Sequence, residues 1–168
     1  MTEVLETERL VLRHISVDDA EFILDLVNQP SFIKYIGDRN VRTLGDAHRY
    51  ISNSYIASYK KFGFGLYLVE LKQSKVPVGI CGLVKRDSLP DVDIGFAFLP
   101  DYWSQGYASE SALAVLDYAR NVLKLKRILA ITTKDNESSG KLLDKIGLKF
   151  EHLIRLNDDE LKLFSADL

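Results

Sequence analysis

The stretch from Val92 to Thr133 constrains this chain more than any other. An apolar strand, Val92 to Leu99, stops at Pro100 and is followed by the short loop Tyr102-Trp103-Ser104-Gln105-Gly106. The clearest helix of the chain comes next, with Ala112, Leu113, Leu116, Ala119, Val122 and Leu123 as its buried stripe. Arg127 to Thr133 is then β-branched and apolar, a second strand. Two strands joined through a helix lie parallel, with a right-handed crossover. Any fold of this chain therefore contains a parallel pair inside its sheet.

The remaining elements are laid around that unit. Leu10 to His14 alternates as a strand and ends at Ser16-x-x-Asp19, a capping box in which hydroxyl and carboxylate each satisfy a free backbone N–H. Phe22, Ile23, Leu26 and Val27 recur at helical spacing until Pro30 ends the run. A second box, Thr43-x-x-Asp46, opens a helix carrying Ala47, Tyr50, Ile51, Ser54, Tyr55 and Ser58, closed by Lys60, Lys61 and Gly63. Phe64 to Leu71 and Pro77 to Lys85 form a hairpin. Asn136 opens a last helix with Leu142, Leu143 and Ile146 on its apolar face and Gly147 at its end. Two strands, Leu148 to Leu156 and Glu160 to Phe164, follow around an Asn157-Asp158-Asp159 turn. The order β-α-α-β-β-β-α-β-α-β-β, with no linker or repeat, predicts one α+β domain over residues 1–168, a mixed central sheet flanked by about four helices.

Composition narrows the chemistry. With 22 Lys+Arg against 24 Asp+Glu in 168 residues, the net charge of −2 argues against a nucleic-acid partner bound through many phosphate contacts. A domain of this length buries enough apolar surface to need no metal or disulfide staple. The lone Cys81 sits in an apolar strand and reads as a small buried hydrophobe, compatible with a reducing cytosol. His14, His48 and His152 do not cluster, so no metal site is expected. The N-terminus lacks the apolar region of a secretory signal, and no apolar run is long enough to span a membrane. A cytoplasmic protein without a membrane partner is expected.

A Gly in a tight turn before a helix start allows close backbone approach, and the helix's first N–H groups are unsatisfied, an arrangement suited to phosphate. The loop before Tyr107 has this form, although a plain strand-to-helix turn capped by Ser109 would look the same. Neither Gly-x-x-x-x-Gly-Lys-Ser/Thr nor Gly-x-Gly-x-x-Gly occurs, which leaves P-loop and dinucleotide-binding readings unsupported.

The segments Thr7-Glu-Arg-Leu-Val-Leu-Arg13 with Asp19-Ala20, Asp93-Ile-Gly-Phe96 followed by Pro100-x-Tyr-Trp103-x-x-Gly-Tyr-Ala108, and Asn136-Glu-Ser-Ser139 with Leu142-Leu-Asp-Lys-Ile-Gly-Leu148, span nearly the whole chain in order. Together they resemble the GCN5-related N-acetyltransferase (GNAT) superfamily, in the branch of the ribosomal-protein alanine N-acetyltransferases. The resemblance implies that acetyl-CoA lies between the splayed parallel strands Val92–Leu99 and Arg127–Thr133. It further implies that main chain near Phe98 and Leu99 pairs with the pantetheine arm, and that amides of Gln105, Gly106, Tyr107, Ala108 and Ser109 cradle the pyrophosphate. Asn136 would hydrogen-bond the pantetheine and Ser139 would protonate the departing thiolate. Ser139 could instead be a first-turn hydroxyl bonded to its own backbone.

Two positions depart from the superfamily pattern: Trp103 replaces its first Arg/Gln, and Leu143 occupies the place where many members have a Tyr acid. Asp93, where this branch often has Glu, is the candidate base, or else a strand-edge carboxylate paired with a cation. Asp91, Glu110 and Glu160 are weaker candidates, Glu110 fitting a first-turn helix acid. Tyr35, Tyr50, Tyr55 and Tyr59 either edge the core or line the acceptor pocket. The implied activity is direct acetyl transfer from acetyl-CoA to a primary amine, a peptide N-terminus or a small-molecule amine, in a ternary complex. The acceptor site would be built by one copy or by a homodimer. A non-catalytic acyl-CoA-binding module is the alternative.

Overall fold

The computed structural model describes residues 2–168. Eight strands form one sheet in the order β1-β2-β3-β4-β5-β6-β8-β7. They are β1 (Glu3–Glu6), β2 (Leu10–Arg13), β3 (Leu66–Leu71), β4 (Pro77–Val84), β5 (Asp93–Phe98), β6 (Arg127–Thr133), β7 (Lys149–Leu156) and β8 (Asp159–Asp167). Every neighbouring pair is antiparallel except β5 and β6, the pair that the crossover through α5 (Tyr107–Asn121) requires.

Period-two alternation sends β3 side chains to two cores. Tyr67 and Val69 pack with Ala112, Val115 and Leu116 of α5 and with Leu143 of α6 (Glu137–Lys145). Leu68 faces the other way, onto α1 (Ala20–Val27), α2 (Pro30–Tyr35) and α3 (Leu44–Tyr50) through Ile23, Leu26, Phe32 and Ala47. The sheet is thus covered on both faces by helices of different chain origin, an α+β arrangement.

Both capping boxes form: Ser16 with Asp19, and Thr43 with Asp46. Gly63 closes α4 (Ala57–Phe62) at φ +78°, a left-handed turn that a β-carbon would disfavour. Asn157 and Asp158, both at positive φ, make a two-residue turn between paired Leu156 and Asp159, tighter than the expected three residues.

Two elements were not expected from the sequence. β1 adds an edge strand at Glu3–Glu6, too short and too polar to stand out. Pro30 does not end the helical region but occupies the first turn of α2, where its missing N–H costs nothing. Between α3 and α4 the helix continues through a π-helical segment, Ile51–Ile56. The five-residue repeat of that segment brings Tyr50 and Tyr55 edge to face at 5.3 Å.

Candidate active site

β5 and β6 pair at only one register position, Asp93 with Leu129, where the Leu129 N–H donates to Val92 C=O at 2.9 Å. Beyond it they diverge. β6 stays paired along its whole length with β8, and β5 stays paired with β4. The gap opens into a cleft of about 1200 Å³ lined by both strands, the α5 N-terminus, α6, α2 and the π-helical turn.

The edge of β5 facing this gap is unpaired, and alternation tells which groups it offers. Leu99 N–H donates to Val78 C=O at 3.0 Å, so the odd-numbered residues of β5 direct their polar backbone toward β4. Phe96 and Phe98 therefore turn theirs toward the cleft. The Phe98 carbonyl there accepts the Trp103 indole N–H at 2.9 Å. What remains for an extended ligand is the Phe96 amide and carbonyl and the Phe98 amide. The structure thus shifts the expected pair of residues: Phe98 lies on the free edge, whereas the Leu99 amide is consumed within the sheet, and Leu99 is not among the residues lining the cleft.

At the head of α5, Gly106 takes φ +84°, and a β-carbon there would approach the Arg9 guanidinium at 3.2 Å. No side chain caps this helix, so the Tyr107, Ala108 and Ser109 amides are exposed to the cleft with the positive end of a 15-residue helix. Ser109 hydroxyl donates to Gly106 C=O at 3.1 Å and so does not cap those amides. The Gln105 side chain donates to Asp101 C=O at 3.2 Å, and the residue is not among those lining the cleft.

Arg9 is the residue that sequence reading missed here. Its Nε donates to Glu110 Oε1 at 2.7 Å, its Nη1 to Gln105 C=O at 3.0 Å, and its guanidinium lies 4.5 Å over the Tyr107 ring. Thr7 hydroxyl and the Arg9 amide both donate to Glu110 Oε2, at 2.5 Å and 3.0 Å. Glu110 thereby ties the β1–β2 turn to the loop before α5. The nearby Arg13, buried and bonded to Asp19 by two hydrogen bonds of 2.9 Å, serves the fold in the same way.

On the far wall, Asn136 Oδ1 accepts the Ser139 N–H at 3.2 Å and caps α6, which leaves its amide NH₂ for a ligand. The Ser139 hydroxyl, half-buried on the cleft, makes no hydrogen bond to its own backbone among the described residues. Leu143, fully buried in the core beneath, has no polar group to offer.

Asp93 stands at the fork where the strands part, 1% exposed, and lines the same cleft as Ser139. Burial pushes its carboxyl up to about 6, while Arg86, donating from Nε at 3.0 Å, pulls it back down. Asp93 is thus paired with a cation while its carboxyl stays above the ordinary aspartate range. Glu160 lies on the cleft but is held by Lys134 at 2.6 Å, and the cation keeps its carboxyl below the usual range.

Of the four tyrosines, Tyr35, Tyr50 and Tyr55 line the cleft. Tyr59 does not. It stacks on His14 at 4.0 Å, and its hydroxyl donates to Leu66 C=O and accepts the Ile15 N–H. Burial lowers the His14 pKa, and the buried Cys81 thiol is pushed up to about 12 by the same cause, which suits an inert core residue. Among the described residues no cluster of His, Cys, Asp and Glu could hold a metal ion, and no helix is long and apolar enough to cross a membrane.

The comparison with known families bears directly on the open strand edge and uncapped helix. Residues 9–149 match the acetyltransferase (GNAT) domain. The chain belongs to the GNAT acetyltransferase family. It is 31% identical over 156 residues to the uncharacterized N-acetyltransferase YoaA of Bacillus subtilis, covering 92% of this chain and 88% of that one. Among solved structures, an acetyltransferase from Agrobacterium tumefaciens superposes with a TM-score of 0.84 at 23% identity, over 99% of this chain and 94% of its own. The microcin self-immunity acetyltransferase MccE, solved with acetyl-CoA and AMP, does so at 0.79 and 16%, over 96% and 94%. This GNAT chain is an acetyl-CoA-dependent N-acetyltransferase, and its free strand edge, uncapped helix and Gly106 turn fit that co-substrate.

Proposed function

We propose that this acetyltransferase transfers acetyl directly from acetyl-CoA to a primary amine, with acceptor and donor bound together at the β5–β6 fork. The observation that carries the reading is the position of Asp93, a buried carboxyl titrating near 6 at the last paired residue of the fork. Side chains on β5 alternate, so Asp93 shares the face of Ala97 and Leu99, which pack with the α1–α3 core, opposite the Ile94, Phe96 and Phe98 face. Asp93 therefore belongs to the acceptor side, where α2 and the π-helical turn complete the cleft.

In this reading the Phe96 and Phe98 edge pairs with the pantetheine arm as an added strand. The amides of Gly106 to Ser109 receive the pyrophosphate, with the Asn136 NH₂ as a further donor. Asp93 takes the proton from the acceptor's ammonium or attacking amine. Nitrogen bonds to the thioester carbonyl carbon, the C–S bond breaks, and Ser139 hydroxyl supplies a proton to the leaving sulfur. Trp103 in place of a charged side chain leaves the phosphates to backbone amides and the helix dipole.

Mixing the protein with acetyl-CoA and separate pools of polyamines, amino acids, amino acid amides and peptides with free N-termini, while following thiol release, tests this. Acceptor-stimulated release with one pool, and its loss in Asp93→Asn, is expected. No stimulation by any pool would overturn the reading.

A further inference from the structure

The acceptor half of the cleft carries a buried hydroxyl left without a partner and an exposed cation outside any ion pair among the described residues. Tyr55, on the π-helical turn, is 3% exposed, lines the cleft, and its hydroxyl has no hydrogen-bond partner among the described residues. A buried hydroxyl with nothing to bond costs roughly 1–3 kcal/mol, and native structures resolve such groups with a ligand or ordered water. Arg39, in the Gly37-Asp38-Arg39-Asn40 turn after α2, also lines the cleft.

Its neighbours Arg42 and Arg49 are paired with Asp38 and Asp46, at 2.5 Å each, but Arg39 forms no ion pair among the described residues. Burial, and then Tyr50 packed edge to face against it, push the Tyr55 hydroxyl's pKa up, and Arg39 counters them in part. Across the cleft Asp93 is neutralised by Arg86. A cation and a neutral donor thus stand together, facing a carboxylate that removes protons from ammonium groups.

We infer that the acceptor carries a free carboxylate beside its amine, gripped by the Arg39 guanidinium and the Tyr55 hydroxyl while Asp93 receives the amine. The planar guanidinium presents two parallel N–H donors to the two oxygens of a carboxylate, and the tyrosine adds a third donor. The acceptor class is therefore the free amino acid or a related small amino carboxylate, and neither the polyamine nor the internal peptide carbonyl next to a protein N-terminus supplies the missing charge. This inference rests on the reading that an amine is acetylated at the fork.

Paired acceptors that differ only at the anion test it: free L-amino acids against their α-carboxamides, with peptide N-termini and spermidine alongside. The acids are expected to exceed the amides by about 10- to 100-fold in kcat/KM, the worth of one charged hydrogen-bond pair. Arg39→Ala should bring the acid-to-amide ratio close to one, and Arg39→Lys should restore part of it. Tyr55→Phe should lower the ratio by a smaller factor. Amides, peptides or spermidine used as well as the acids, or an acid preference that survives Arg39→Ala, would overturn the inference while leaving amine acetylation intact. Titration calorimetry of each acid and amide into the protein–CoA complex gives a readout that needs no turnover. Acid binding lost in Arg39→Ala supports the carboxylate site even if no pool is acetylated, and acid and amide binding alike contradicts it.

Discussion

The two walls of the cleft are made of different materials. The donor wall is backbone: the free edge of β5, the left-handed Gly106 and the uncapped amides of α5. The wall proposed for the acceptor is side chain: Asp93 with Arg86, Tyr50 against Tyr55, and Arg39 on a turn. Backbone amides suit a ligand that is the same for every member of such a family, whereas a wall of side chains can be altered one residue at a time. The donor wall is also tied down, through Glu110, to the opposite end of the sheet. Among the described residues no ion pair holds Arg39.

If the walls are separable, their variants should separate too. The largest effect is expected at Asp93. Asp93→Asn should lower kcat by about 10²- to 10⁴-fold with acetyl-CoA affinity kept, as the loss of a general base does. In the wild type, activity should fall as pH drops through about 6, where the carboxyl takes up its proton, and the variant should lose that limb. Stability runs the other way. The folded carboxyl titrates above its ordinary value of 3.8, so the folded state holds the extra proton between the two values. Stability from this group is complete at lower pH and is lost as pH rises toward and through about 6, a slope that pH-dependent denaturant melts should find flattened in Asp93→Asn.

Next comes the donor wall. Gly106→Val forces a β-branched residue into a left-handed conformation against Arg9. Acetyl-CoA binding by calorimetry should weaken by about 10- to 100-fold, while the acid-to-amide preference stays as it was. Ser139→Ala should reduce kcat by only about tenfold, since a thiolate is a good leaving group and needs little protonation. Glu110→Gln should lower the melting temperature by about 2–4 °C, as loss of roughly 1 kcal/mol does in a domain of this size. The smallest effect belongs to Gln105→Ala, whose side chain faces Asp101, with acetyl-CoA affinity unchanged by calorimetry.

The same division governs what could be read from sequence. The parallel crossover, both capping boxes, the Gly106 turn and Asn136 as a helix cap are local, written in spacings of a few residues, and each is present. Pro30 misled because proline ends a helix and begins one equally well, and β1 is only four residues long. Leu99 and Gln105 were assigned by position in a motif. The structure adds that the Leu99 amide is bonded to Val78 and the Gln105 side chain to Asp101, neither of which a motif position specifies. Arg39, Arg86 and Tyr55 come to line one cleft only through the packing of α2 and the π-helical turn against the fork. No spacing announces them.

The central claim is that the free edge of β5 holds the co-substrate through its backbone. Amide hydrogen exchange of the protein with and without coenzyme A tests it most directly. Protection should rise at the Phe96 and Phe98 amides and at the first turn of α5, while the Leu99 amide, already bonded to Val78, should not change. Unchanged exchange at Phe96 and Phe98 with coenzyme A bound would contradict the account.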